Sequence, residues 1–224
     1  MKLWLVVSNL NNLLPYLSRP INLIIIFSIV YVFSLPPFGV SVFYYISFSI
    51  IFYNILTNDN FSKKYIFYFF LFTQIITLSW ITQSFYSGGF GYLFLGIILV
   101  GALSLFIAFL HYSATILILV TFKKKLLQIF LLPLGLSIVE ILKEFIFGGF
   151  PWNPSAIIYY KNIWILKSLP FFGVYGLGLV VHLIVGLIIY FLYCKNKVVI
   201  FSLSSVLVLI LSLIHISEPT RRTQ

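Results

Sequence analysis

Apolar residues run in long blocks, and lysines or short Pro/Gly-rich stretches break them at intervals of about 20 residues, one bilayer crossing. Read by that pattern, the chain holds seven candidate spans, near residues 21–35, 38–56, 65–84, 92–121, 126–147, 171–193 and 198–215. Only LPPFG, residues 35–39, separates the first two, which predicts a tight hairpin. The fourth run is longer than one crossing, so it must tilt, kink or project. Ahead of the spans, residues 1–20 mix apolar positions with Asn11, Asn12 and Pro15 and are expected at the interface. Between the fifth and sixth spans, residues 148–170 form an aromatic and basic connection with a short interfacial helix expected over 155–166. The expected fold class is an all-α integral membrane protein of about seven transmembrane helices occupying residues 21–215, followed by a polar tail over 216–224.

Composition agrees with this pattern and narrows the function. Of 224 residues, 62% are hydrophobic and 8% charged, with a mean hydropathy of +1.12, so a soluble surface cannot be covered. The net charge of +10 comes from lysines and arginines scattered over short loops. No basic stripe exists to follow a phosphate backbone, and nucleic acid is excluded as a partner. Cys194 is the single cysteine, so no intrachain disulfide or multi-cysteine metal site is available. It reads as an inert thiol at a span end. The first hydrophobic run lacks a small-residue cleavage site and reads as a retained span rather than a signal peptide.

Charge asymmetry gives an orientation. With the N-terminus in the cytoplasm, nine basic residues fall inside: Lys2, Arg19, Lys63, Lys64, Lys123, Lys124, Lys125, Lys195 and Lys197. Two, Lys161 and Lys167, fall outside when the C-terminal tail is set aside, and the C-terminus is then outside as well. Lys161 and Lys167 read as snorkelling anchors before lipid attractors. The loops LPPFG, SGGFG and GGFPWNPS all reach the outer face, where irregular backbone is tolerated if protein or a wet cavity satisfies it.

Against this oily background one segment stands out. In VEILKEFIF, Glu140, Lys143 and Glu144 lie at i, i+3 and i+4, on one face of the fifth span. Ionisable residues within a span cost several kcal/mol and normally face the bundle interior in pairs. Two readings stand side by side: a self-neutralised cluster, Lys143 with Glu140 and Glu144, that fixes packing, or a polar wall beneath an outer cavity that orients a head group. Gly148 and Gly149 end the helix, Pro151 prevents its continuation, and Trp152 is an interfacial anchor. Gln74, Ser79, Trp80, Thr82 and Gln83, near the outer end of the third span, read as interhelical hydrogen-bonding groups. His111 and His182 stand alone in apolar runs and read as packed histidines donating to carbonyls; neither has a second ligand at metal spacing. The glycines of GVYGLGL, residues 173–179, read as a close helix contact. No nucleophile–base–orienter set, phosphate-binding loop, metal site or cofactor site is legible.

In order, these motifs resemble the N-terminal membrane domain of the apolipoprotein N-acyltransferases, over about residues 20–200. LSWITQSFYSGGF resembles that family's third span with its aromatic end and Gly-Gly loop. VEILKEFIFGGFPW resembles its fifth span, with Glu140 at the acidic position, Lys143 in place of arginine, and Gly149, Phe150, Pro151 and Trp152 aligned. AIIYYKN keeps only a tyrosine of the Gly-Tyr-Ser-Gln that usually follows, while FFGVYG and LPPF resemble the sixth-span opening and the first hairpin. The resemblance implies a multi-pass protein of the bacterial inner membrane. It implies transfer of an acyl chain from a phospholipid to the N-terminal cysteine of a diacylated lipoprotein, without cofactor, through a thioester on the enzyme. It also implies that the chemistry belongs to a nitrilase-like domain with Glu, Lys and Cys placed after the seventh span. Here HISEPTRRTQ follows Ile214, so a truncated chain, inactive alone and with an artefactual tail, is expected. Cys194 on the cytoplasmic side cannot replace the nucleophile, and no catalytic residue is assigned. The expected lipid vestibule comprises Glu140, Lys143, Gly149, Phe150, Pro151, Trp152, Trp80 and Tyr175. A transporter or channel using Glu140 and Lys143 in a substrate path, and a non-catalytic membrane scaffold, are the alternatives.

Overall fold

A computed structural model describes residues 19–86, 88–146, 148–149 and 152–194. Among them every regular element is helical. Six helices carry the fold: α1 (Pro20–Val32), α2 (Val42–Thr57), α3 (Lys64–Leu78), α4 (Phe90–Thr121), α5 (Lys125–Ile146) and α6 (Leu169–Cys194). α3 continues through a 3-10 turn, Ser79–Thr82, and one helical turn, Gln83–Tyr86, so that Lys64–Tyr86 spans a membrane by length and composition, as α4, α5 and α6 do. The first two are shorter than the sequence predicts, with 13 and 16 residues. At 1.5 Å per residue they reach about 20 and 24 Å, less than a 30 Å hydrocarbon core. The lost turns lie in the hairpin between them, where Pro36 and Pro37 share a cis peptide bond. The interfacial helix expected over 155–166 is two pieces, a 3-10 turn Ser155–Tyr159 and a helical turn Ile163–Leu166. The seventh candidate span, the N-terminal segment up to residue 18 and the polar tail lie outside the described residues.

The helices close into a ring. α1 packs on both α2 and α3, α3 on α4, α4 on α5, α5 on α6, and α6 returns to α2. Apolar residues point both ways from such a ring. Inward, Ile24, Ile51, Phe52, Ile66, Phe69, Ile129, Val181 and Ile189 are fully buried. Outward, Phe145, Ile138, Leu117 and Phe109 are exposed, as a lipid-facing surface requires. Because lipid is as apolar as leucine, close approach of backbones matters more than burial alone. α5 contains Pro133, whose missing N–H frees the Ile129 carbonyl. Gly186 of α6 sits against both: a Cβ there would stand 2.8 Å from Pro133 Cγ and 3.2 Å from the Ile129 oxygen.

The turn between α4 and α5 is tied by Gln128, whose Nε2 donates to the carbonyls of Leu119 (3.1 Å) and Phe122 (2.5 Å) at the end of α4. These are terminal carbonyls with no intrahelical donor. Gln128→Leu removes both bonds, and thermal unfolding in detergent should show a loss of about 1–2 kcal/mol.

Candidate functional site

Every helix of the ring sends a side chain to its axis. Tyr31 from α1, Tyr44 from α2, Gln74 from α3, His111 from α4, Glu140 and Lys143 from α5, and His182 from α6 surround a cavity of about 20 Å³. That volume holds about one water molecule. Glu140 and Lys143, one turn apart, are each 6% exposed.

Glu140 is held by the loop that follows its helix. The Ser155 N–H donates to Oε1 at 2.8 Å and the Ser155 hydroxyl to Oε2 at 3.1 Å. His182 Nε2 lies 3.7 Å from Oε1, and its Nδ1 is hydrogen-bonded to the Ser137 hydroxyl at 2.8 Å. Ser137 Oγ also reaches the Pro133 carbonyl at 3.0 Å, the usual back-bond to i−4. Lys143 Nζ donates to the Trp152 carbonyl at 3.4 Å. The loop can approach this closely because α6 presents Gly178, where a Cβ would lie 2.8 Å from both Glu140 Oε2 and Ser155 Oγ. Glu140 and Lys143 face the same cavity and also grip the Trp152–Ser155 strap at two points, the carboxylate at Ser155 and the ammonium at the Trp152 carbonyl. Glu144 is half-buried and lies beside Tyr175, whose buried hydroxyl has no hydrogen-bond partner among the described residues.

The strap is one wall of a larger space. An apolar groove of about 630 Å³ runs between it, the end of α3 and the hairpin, lined among others by Leu35, Pro37, Ile76, Trp80, Trp152 and Ile157. Trp80 and Trp152 stack across it, with ring centroids 4.7 Å apart at 29°. Asn153, at φ 49°, borders both groove and axis cavity. Upstream, Gly148 and Gly149 take φ of 61° and 91°, and the Gly149 N–H returns to the Glu144 carbonyl at 2.8 Å, a Schellman-type stop.

Of the residues singled out in the sequence, Glu140 and Lys143 meet at the axis, Trp80 and Trp152 in the groove, and Gly149 at the helix stop. Phe150 and Pro151 lie outside the described residues. Tyr175, on α6, lines neither cavity. His111 is packed as expected, Nδ1 2.9 Å from the Ile107 carbonyl and its ring stacked on Phe70. His182 is not: its partners are Ser137 and Glu140. Lys161 also differs from a snorkelling anchor, since its Nζ donates to the carbonyls of Pro37 (3.0 Å) and Phe38 (2.7 Å). Sequence reasoning missed Ser137, Asn153 and Ser155, small polar residues unremarkable in loops and helices, and did not connect Gly178 to Glu140. A candidate metal cluster is absent among the described residues. Cys194 is exposed at the far end of α6, about 24 Å from Gly178 at 1.5 Å per residue.

The model of the family described as apolipoprotein N-acyltransferase N-terminal domain matches residues 27–187, which include all six ring helices at least in part, the strap and both cavities. No curated protein matches the chain. With well over half of its length matched, the chain belongs to the apolipoprotein N-acyltransferase N-terminal domain family.

Proposed function

We propose that this chain is the lipid-handling membrane domain of an apolipoprotein N-acyltransferase of the bacterial inner membrane. In this reading the groove beside Trp80 and Trp152 takes an acyl chain of the phospholipid donor, and the loops that shape it face outward. The groove carries the proposal: an apolar space of about 630 Å³, bordered by an aromatic pair, in a member of this family. Glu140 and Lys143 act from beneath, by fixing the strap. The diacylated lipoprotein would accept the chain at its N-terminal cysteine. Cys194 is too remote from the groove to carry the thioester, so the acyl-carrying nucleophile is not among the described residues.

The test is a phospholipid with a photoactivatable acyl chain, reconstituted with the protein in nanodiscs. Adducts should concentrate on Ile76, Thr77 and Ile157, and Trp152→Ala, which removes the stack, should lower groove labelling about two- to twelve-fold, the equivalent of about 0.5–1.5 kcal/mol. Adducts confined to outward residues such as Ile138 and Phe145 would sink the acyl-groove reading. Solute flux in proteoliposomes that stops in Glu140→Gln would favour the transporter alternative instead.

A further inference from the structure

We propose that Lys161 is a specificity-determining residue that reads the phosphate of the lipid whose chain occupies the groove. The inference rests on the acyl-groove reading above and adds a polar end to it.

Among the described residues Lys161 is held in place without a carboxylate partner. Its ammonium donates to two carbonyls of the hairpin, Pro37 and Phe38, and lies 5.4 Å from the centroid of the Tyr160 ring. The Tyr160 hydroxyl donates to the same Pro37 oxygen at 2.7 Å. Gly39 makes room for the pair: at φ +68°, a Cβ would stand 2.6 Å from Tyr160 Cε1 and 3.1 Å from Lys161 Cδ. An ammonium has three donors, so one N–H remains after the two carbonyls are served. Carbonyls do not cancel a positive charge, and the chain has only four acidic residues. Of these, Glu140 is occupied by Ser155, Glu144 lies beside Tyr175, Asp59 is in the turn between α2 and α3 at the opposite end of α2 from the hairpin, and Glu218 is outside the described residues. Lys161 itself is exposed.

Its position joins two spaces. Pro37, whose carbonyl it holds, lines the apolar groove. Lys161 also lines an open, more polar pocket of about 420 Å³ with Gly39, Ser41, Asn162 and Trp164. A glycerolipid has the same division, an apolar chain joined to an anionic phosphodiester. A chain in the groove therefore brings its phosphate to the rim where a pre-positioned cation waits, and most of the side-chain entropy of ordering that lysine is already spent in the clamp.

Brominated acyl chains quench tryptophan, which makes Trp80 and Trp152 reporters of groove occupancy once Trp4 and Trp164 are replaced by phenylalanine. In nanodiscs, brominated phosphatidylcholine is compared with brominated diacylglycerol; both are net neutral, so attraction to the basic chain as a whole cancels. The phosphate-bearing lipid should quench at about three- to five-fold lower mole fraction, as expected for one exposed charge-assisted contact. Lys161→Gln should abolish that preference while leaving diacylglycerol quenching unchanged, and Tyr160→Phe, which loosens the clamp but keeps the charge, should retain it. Equal loss for both lipids in Lys161→Gln, or loss of the preference in Tyr160→Phe, makes Lys161 a clamp residue only and overturns the proposal. A preference that vanishes when millimolar inorganic phosphate is added assigns the site to the free anion and overturns its role in lipid selection. If neither lipid quenches, the acyl-groove reading fails, and this inference with it.

Discussion

Glu140→Ala should lower stability by about 3–5 kcal/mol, the usual cost of removing one member of a buried charged network. The variant strips Ser155 of acceptors for both its N–H and its hydroxyl, and it leaves Lys143 and His182 buried without a carboxylate. In a chain of this length that corresponds to a fall in melting temperature on the order of 10 °C, measurable by scanning fluorimetry in detergent. Glu140→Gln should cost less, since an amide oxygen can still accept from the Ser155 N–H. The stronger check is the double variant Glu140→Leu/Lys143→Met. Removing both charges should cost less than the sum of the single changes, because each single change strands the other. Strict additivity would mean that the two side chains stabilise the fold independently, and the shared-strap account would fail.

Gly178→Ala comes next in size. The added carbon would sit 2.8 Å from Glu140 Oε2 and from Ser155 Oγ, closer than non-bonded carbon contacts permit. The helix cannot yield without displacing α6 from α5, so the carboxylate and the hydroxyl separate. Overpacking and a lost charge-assisted bond together predict a loss of about 2–4 kcal/mol. Near-ultraviolet circular dichroism should also change, because the strap that Ser155 anchors begins at Trp152, one half of the stacked tryptophan pair. In a Ser155→Ala background the same substitution should be less harmful by about 1–2 kcal/mol, since the bond it breaks is already gone. An unchanged penalty would place the clash with Glu140 alone.

The helices were legible because lipid permits little else: apolar runs of this length have to satisfy their own backbone. The charged cluster was legible for the same reason, as was its inward direction. What it touches was not. Spacing along α5 places Lys143 within reach of Glu140, yet the nearer satisfaction comes from Ser155, brought back by a turn that local pattern does not encode. The same holds at the hairpin, where Lys161 reads as an anchor until Pro37 and Phe38 are seen beneath it. The motif glycines pointed to close helix packing, and Gly178 does pack closely, against Glu140 of α5 and against Ser155 of the strap. Length misled at α1 and α2, where hydropathy continues through residues that form the hairpin.

Closure of the ring by α6 sets an order of events at the ribosome. α5 enters the membrane ahead of α6, which carries His182, and α2 has only α1 beside it until that last ring helix is in place. Ser155 follows Glu140 by only fifteen residues, so the carboxylate can be capped by its own loop while the translocon is still engaged. The cap on Glu140 is thus local in sequence and does not depend on α6, whereas closure of the ring does.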